Sequence, residues 1–210
     1  MARYKDSVCR LCRRAGMKLF LKGDRCVGDK CSFDKRSFPP GQHGALQMRG
    51  KVSEYGTQLR EKQKARWMYG VLEKQFRIYY GEAARKKGVK GDNLFRLLEL
   101  RLDNVVFRSS FADSRAQARQ MVVHNHVTVN GAKVNRPSFS VSKGDVIEIK
   151  KKSKKRENII QSAEKGKARG IPEWLDVDLA DLQTRIAEMP TEADIQTNID
   201  AQQIVELYSK

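Results

Sequence analysis

No run of apolar residues in this chain approaches the roughly 20 that a membrane-spanning helix needs. The opening MARYKDSV lacks the apolar core of a secretory signal, and it is not the Ser- and Arg-rich, acid-poor leader of an organelle import sequence. These absences point to the cytoplasm, where thiols stay reduced. Cysteine is missing from everything after residue 31. Acid is scarce over most of the length: residues 1–170 carry 40 Lys or Arg against 16 Asp or Glu, a balance of +24. Residues 171–210 reverse the sign, with 2 against 9, a balance of −7. The whole 210-residue chain has a formal net charge of +17 and room for one or two modest cores. So basic a body attracts polyanions over long range and suits a phosphate backbone. A nucleic acid is therefore the expected partner, and neither a membrane nor a small-molecule substrate is expected.

The first 45 residues have few large apolar side chains, namely Leu11, Met17, Leu19, Phe20, Leu21, Phe33 and Phe38, and they hold all four cysteines. Cys9-Arg-Leu-Cys12 and Cys26-Val-Gly-Asp-Lys-Cys31 are two close pairs separated by thirteen residues. Two such pairs in an apolar-poor segment match a tetrahedral four-thiolate site. Four protein ligands leave no open coordination position, so the expected metal is structural: one Zn2+, with an iron–sulfur cluster left open by the same spacing. Free thiols and disulfides are the competing readings. His43 is a conceivable ligand, set aside because four cysteines suffice. Arg10, Arg13, Arg14, Lys18 and Lys22 surround the expected knuckle. Next comes Lys35-Arg36-Ser37-Phe38-Pro39-Pro40-Gly41-Gln42-His43-Gly44, where two prolines stiffen the backbone and glycines permit close approach to a partner. Its bland reading is a linker.

Residues 53–90 read as two helices. The first, from about Ser53 to Tyr69, contains Arg60-Glu-Lys-Gln-Lys-Ala-Arg66. Arg60 with Lys64, and Lys62 with Arg66, are like charges one turn apart, costing a few tenths of a kcal/mol each. Phosphates would neutralise that repulsion. The second helix places Leu72, Phe76, Tyr79, Tyr80 and Ala83 on one apolar stripe, read as core and not as a base-stacking platform. Lys86-Lys87-Gly88 ends it.

Residues 93–150 form the organising module. Asn93 is placed as an N-cap, with Leu94, Leu97, Leu98, Leu102 and Val105 at helical spacing. Asp113 and Ser114 open another helix, with Gln117 completing a capping-box pattern. Ala118, Met121 and Val122 give that helix a narrow apolar arc. Arg115 and Arg119 stand one turn apart beside the arc, as an RNA-facing pair or a merely solvated face. After His126 the period changes to 2, and Asn130-Gly131 between Val127, Val129 and Val134 signals a hairpin, since both turn residues need positive φ. A further strand covers 145–150. The run from Lys150 to Arg156 has six basic residues in seven and reads as a solvated tail or loop able to touch phosphate. Ile171-Pro172-Glu173-Trp174-Leu175 marks a return to order.

The strings RLDNVVFR…SRAQARQMVVHNHVTVNG (101–131), PPGQHG (39–44), REKQK (60–64) and QQIVELYSK (202–210) resemble those of the ribosomal protein S-four family of the small subunit. That resemblance covers nearly the whole chain. It departs at Ser109-Ser110, where the family commonly has Leu-Gly, and at Trp67, where a basic residue is common. The four cysteines occur in only some members, so the metal rests on spacing. The resemblance, joined to the metal knuckle that spacing places over 1–45, implies an α+β fold: that knuckle, a helical domain over 46–92 completed by 172–210, and a helix-helix-hairpin RNA-binding module over 93–171. It also implies that the last helix packs on the 53–90 helices. The implied partners are small-subunit rRNA, neighbouring small-subunit proteins and, in some bacteria, the protein's own mRNA. The implied role is early binding at a junction in the 5′ domain, near where mRNA enters, with an influence on decoding accuracy. Arg10, Arg13, Arg14, Arg36, Pro40, Gln42, His43, Arg60, Lys62, Lys64, Arg66, Lys86, Lys87, Arg108, Arg115, Arg119, His124 and His126 are the candidate RNA contacts. The module also resembles domains of RNA-modifying enzymes, so an enzyme or accessory factor built on it is the alternative. Residues 1–92 offer a knuckle and a basic helix pair where a catalytic domain would have to be. His124-Asn-His126 suggests a nuclease, but adjacent residues without gathered carboxylates cannot encircle a metal. No catalytic residue is expected.

Overall fold

Short helices and short strands make up the computed structural model, which describes residues 3–46, 52–166, 170–191, 193–195 and 198–209. The elements begin with α1 (Cys9–Ala15), a 3-10 turn (Gly23–Cys26), α2 (Ser32–Lys35), α3 (Glu54–Met68), α4 (Glu73–Arg85) and α5 (Lys90–Glu99). They continue with α6 (Leu102–Arg108), α7 (Arg115–Val123), β1 (Val127–Val129), β2 (Ala132–Lys133) and β3 (Val146–Ile149). The remainder are α8 (Lys151–Lys154), α9 (Glu157–Gly166), β4 (Leu175–Asp178), β5 (Gln183–Ile186) and α10 (Ala201–Ser209). Two compact units result, Met1–Leu94 with Thr197–Lys210, and Phe95–Gln196.

In the first unit, α3 starts where the sequence places it, because the Ser53 hydroxyl accepts from the Gly56 N–H at 3.2 Å. Along α4, Phe76, Tyr79 and Ala83 are buried as their spacing requires. Leu72 is not part of that stripe: it is the extended N-cap residue and lies exposed. Tyr80 is half-buried, its ring stacked on Tyr208 of α10 at 4.5 Å, so the aromatic set is core. Helix α10 packs along α3, as the resemblance implies. The fully buried Gln58 donates to Glu206 at 3.1 Å, and a Cβ on Gly91 would come within 2.7 Å of Ala201. The knuckle is not a separate arm ending at 45, because its small core of Leu11, Cys12 and Leu19 packs against Trp67 and Met68 of α3. Trp67 supplies apolar surface that residues 1–45 lack.

Asn93 does not cap α5, which begins three residues earlier. Its amide donates instead to the carbonyls of Lys86 at 3.4 Å and Lys87 at 3.1 Å, which the end of α4 leaves without helical partners.

In the second unit, the single helix expected from Leu94 to Val105 is broken at Leu100-Arg101. Arg101 is extended, and the loop at 137–141 inserts there. The Leu102 N–H donates to the Phe139 carbonyl at 2.8 Å, Asp103 N–H to Pro137 at 3.1 Å, and Val141 N–H to Leu100 at 2.9 Å. These contacts make a better cap than helical continuation. Helix α7 is capped as expected on one side and shifted on the other: the Ser114 hydroxyl accepts from Gln117 N–H at 3.3 Å, while the Gln117 side-chain oxygen accepts from Asp113 N–H at 2.9 Å, one residue before the N-cap of a regular capping box. Asn130 (φ 50°) and Gly131 (φ 76°) form the expected turn of the β1–β2 hairpin.

The sheet is antiparallel in the order β2-β1-β3-β5-β4. This corrects the placing of 172–210 with the helices, since β5 pairs with β3 in the register Val146↔Arg185 and Ile147↔Thr184. Only α10 belongs to the helical unit. Leu175, Leu182 and Ile186 point inward to join Val105, Phe111, Ile147, Ile149 and Trp174 in one core. The basic run after β3 is not irregular: it forms α8 and leads into α9, with Ser153 buried between the lysines.

Candidate nucleic-acid interface

Cationic side chains are paired with internal carboxylates, bonded to neutral oxygens, or left facing solvent. On α3, Lys62 is buried and donates to Glu73 at 3.0 Å, while Arg66 donates to the same carboxylate at 2.9 Å. The repulsion between these two is thus relieved inside the protein, not by phosphate. Glu73 also accepts from the Tyr208 hydroxyl at 3.1 Å. Burial works against the Glu73 charge, but Lys62, Arg66 and Tyr208 together hold its carboxyl below the usual range. Burial and the neighbouring Glu73 charge push the Tyr208 phenol well up. Lys64 pairs with Glu61 at 2.5 Å, and Arg60 stands exposed.

The second unit corrects the expectation for three arginines. Arg119 does not face solvent: it is 9% exposed and pairs with Asp103 at 3.3 Å. Asp103 is held at the same time by Arg101, at 3.0 and 2.7 Å in a two-pronged contact, and Arg101 is 1% exposed. Arg108 grips the buried Glu99 in the same two-pronged way, at 2.9 and 2.7 Å. Arg115 is half-buried, donates to Asn104 at 2.7 Å and lies over the Phe107 ring at 4.6 Å. Helical spacing shows which side chains are neighbours on α7, but not that α6 sets Asp103 against it.

Other candidates keep an outward face. Arg10, Arg14, Arg36, Gln42, His43, Lys86, Lys87 and His124 are exposed, and Pro40 is half-buried. Asn93 pins the backbone beneath Lys86 and Lys87. Arg13 staples the knuckle to the proline string: its Nε donates to the Phe38 carbonyl at 3.0 Å, with the guanidinium 5.1 Å from the Phe38 ring centre. Gly44 is buried with an approach so close that a Cβ there would meet the Pro39 carbonyl oxygen at 1.8 Å. Gly44 therefore serves the string's own fold. His126 contacts Ser153, Nδ1 to Oγ 2.9 Å, and its pKa is lowered by burial, then by Arg156, His124 and Lys150. Lys133 on the hairpin, Arg136, Lys151, Lys152, Lys155 and Arg156 are exposed cations missing from the sequence-based set. For Lys151, Lys152, Lys155 and Arg156 the density of the 150–156 run was the signal; Lys133 and Arg136 had none.

The four cysteines form no disulfide with one another. Cys12, Cys26 and Cys31 are buried and Cys9 half-buried. Burial raises the Cys12 and Cys26 thiols, partly offset by the Leu19 N–H at Cys12 and by the Lys22 N–H, 3.3 Å from the Cys26 sulfur. Cys12 also feels the charges of Cys26, Cys9 and Cys31, so the four form one neighbourhood. Soft donors with amide N–H groups aimed at them suit a thiophilic metal. Among the described residues, however, no three ligating groups stand at metal-holding distances.

Residues 3–99 match the profile described as ribosomal protein S4/S9 N-terminal domain, and residues 100–147 match the S4 domain. Small ribosomal subunit protein uS4 of Desulforapulum autotrophicum is 57% identical over all 210 residues, covering both chains completely. The proteins of the same name from Syntrophus aciditrophicus and Heliobacterium modesticaldum are 54% and 55% identical, again over the full length of both chains. The chain belongs to the uS4 family. This is a family of structural, non-enzymatic proteins. The S4-domain match runs from α6 through α7 and the hairpin into β3, the stretch that holds Asp103 with Arg101 and Arg119, and the Arg108 that grips Glu99 just before it.

Proposed function

We propose that the chain is a structural protein of the bacterial small ribosomal subunit, bound directly to small-subunit rRNA and to neighbouring subunit proteins, and housed in the cytoplasmic ribosome. One observation carries the reading. In a uS4-family chain of net charge +17, exposed cations stand on both matched domains, Arg10, Arg36, Arg60, Lys86 and Lys87 on the first and Lys133 and Arg136 on the second. Phosphate contacts from such side chains release counterions, which makes binding salt-dependent. The proposed contacts are Arg10, Arg14, Arg36, Gln42, His43 and Arg60, then Lys86, Lys87, Lys151, Lys152, Arg156 and His124. Arg115 contributes through its outer edge. Arg108, Arg119, Lys62 and Arg66 act indirectly, by fixing the frame that presents the others.

The finer proposals are binding at a junction in the 5′ domain, early action in assembly, an effect on decoding accuracy and repression of its own mRNA. Cys9, Cys12, Cys26 and Cys31 would hold one structural Zn2+, with an iron–sulfur cluster as the other compatible occupant. Such a group supplies a crosslink and no catalysis. It would fix Arg10, Arg13 and Arg14 relative to the proline string.

Binding to protein-free small-subunit rRNA, measured across salt concentrations, tests the reading. Affinity should fall with a log–log slope of roughly −0.7 to −0.9 per phosphate contacted, with a footprint in the 5′ domain. Salt-independent binding, or loss of the chain from small subunits in a salt wash, would overturn it.

A further inference from the structure

Phe20 holds a backbone conformation that costs it energy while its side chain stays half exposed and outside the knuckle core. Its φ is 50°, in the left-handed region that a bulky residue rarely enters. Four other described non-glycine residues share that region. Asn125 and Asn130 have the short polar side chain that tolerates it, Ser110 is small, and Leu182 is buried in the core at 5% exposure. Phe20 alone among the described residues is both bulky and exposed there, at 52%. It takes no part in the knuckle core of Leu11, Cys12 and Leu19, although Leu19 and Leu21 on either side do.

The turn explains the backbone. N–H groups flanking Phe20 are aimed at different sulfurs, Leu19 at Cys12 and both Leu21 and Lys22 at Cys26, and the chain must reverse between them. Glycine would make that reversal without strain. The turn does not explain the ring. Strain retained without structural return clusters at functional positions. The segment is mostly cationic: Lys22 and Arg25 follow Phe20 in sequence with Asp24 between them, all three exposed, and α1 carries Arg10, Arg13 and Arg14. A lone flat ring among cations matches a nucleobase, since base–aromatic stacking combines with cationic grooves in single-stranded nucleic-acid binding.

The geometry points to Phe20 as a stacking platform for one unpaired base of the rRNA. This rests on the rRNA-binding reading, which the parent chain tests separately in the same assay. The test uses the full chain as Phe20→Gly and Phe20→Trp with protein-free small-subunit rRNA. Phe20→Gly should leave amide protection of residues 3–46 equal or higher, because strain is relieved, while affinity falls roughly tenfold, the lower part of the range for one stacked base. The log–log salt slope should not change, since no phosphate contact is lost, whereas Lys22→Ala should make it shallower by just under one contact. Phe20→Trp should bind within about twofold of the parent. Parental affinity in Phe20→Gly overturns the proposal. Loosening of the knuckle in that variant overturns it as well, because the ring would then be structural. A changed slope assigns the loss to phosphate contacts and overturns it too. An effect seen only when other subunit proteins are present identifies a protein partner instead.

Discussion

Replacing Asp103 with Ala should be among the most damaging single changes in the second unit, although no sequence pattern singles the residue out. Its carboxylate is 4% exposed and faces two guanidinium groups, Arg101 at 2.7 Å and Arg119 at 3.3 Å, themselves 1% and 9% exposed. Truncation leaves both cations in the interior without the anion they share. Removing one partner of a buried ion pair costs about 3–5 kcal/mol, because the remaining charge stays desolvated. The unit has about a hundred residues, for which 1 kcal/mol moves Tm by roughly 4–8 °C, so a fall of at least about 12 °C is expected. Against a typical total stability of about 5–15 kcal/mol, that is a large fraction. Thermal unfolding followed by circular dichroism, without RNA, gives the number. A volume-conserving triple change, Asp103→Leu with Arg101→Met and Arg119→Met, should recover most of the loss, since it removes the charges together with their desolvation cost. Arg119→Ala should also destabilise, whereas Arg115→Ala, half-buried and bonded to the neutral Asn104 amide, should cost about 1 kcal/mol. If Asp103→Ala unfolds within about 1 kcal/mol of the parent, the buried pairs are not what holds α6 against α7, and the argument fails.

Ser110→Gly should stabilise the same unit by about 0.5–1 kcal/mol, the left-handed penalty exceeding the entropy that glycine adds to the unfolded chain. Ser110 has φ 64° and a buried hydroxyl with no hydrogen-bond partner among the described residues, and a Cβ on Gly166 would meet the Ser110 Cβ at 2.0 Å. A lower unfolding temperature would show that the hydroxyl matters. Acidification should weaken this unit through His126, whose folded pKa lies below the ordinary 6.5. The unfolded chain then binds more protons between the folded value and 6.5, so stability is intact above 6.5 and declines as pH falls through that window. His126→Gln should flatten the dependence in unfolding measured from pH 7.5 to 5.5, and an unchanged slope counts against the assignment. Chelation, or Cys12→Ser, should expose the amides of residues 3–46 to exchange and weaken rRNA binding while the β1–β3 sheet keeps its protection. Protection that survives metal removal would show that Trp67 and Met68 hold the knuckle without it.

Local chemistry was legible in the sequence wherever the deciding partner lies within a few residues. Ser53 and Ser114 start their helices because each side chain reaches an N–H three positions on. Asn130-Gly131 makes its turn because both residues tolerate positive φ. The α4 aromatics are core because their period is that of one helix face. The cysteines differ: the pairs Cys9/Cys12 and Cys26/Cys31 are close in sequence, but the fold is what brings the two pairs into one neighbourhood. Partners distant in sequence were decided only by the tertiary structure. Lys62 and Arg66 meet Glu73 across the α3–α4 turn, so apparent phosphate contacts are internal ion pairs. Arg119 meets Asp103 sixteen residues away, which turns an outward pair into a buried one. The loop at 137–141 breaks a continuous helical pattern at Leu100, and β5 turns an acidic segment into an interior strand beside β3. Periodicity specifies which face of an element is apolar, but burial of a charge depends on which carboxylate the fold brings to it. That pairing has no local sequence signature, so the chain's net charge and motifs identified its partner while the fold alone selected which cations remain to meet it.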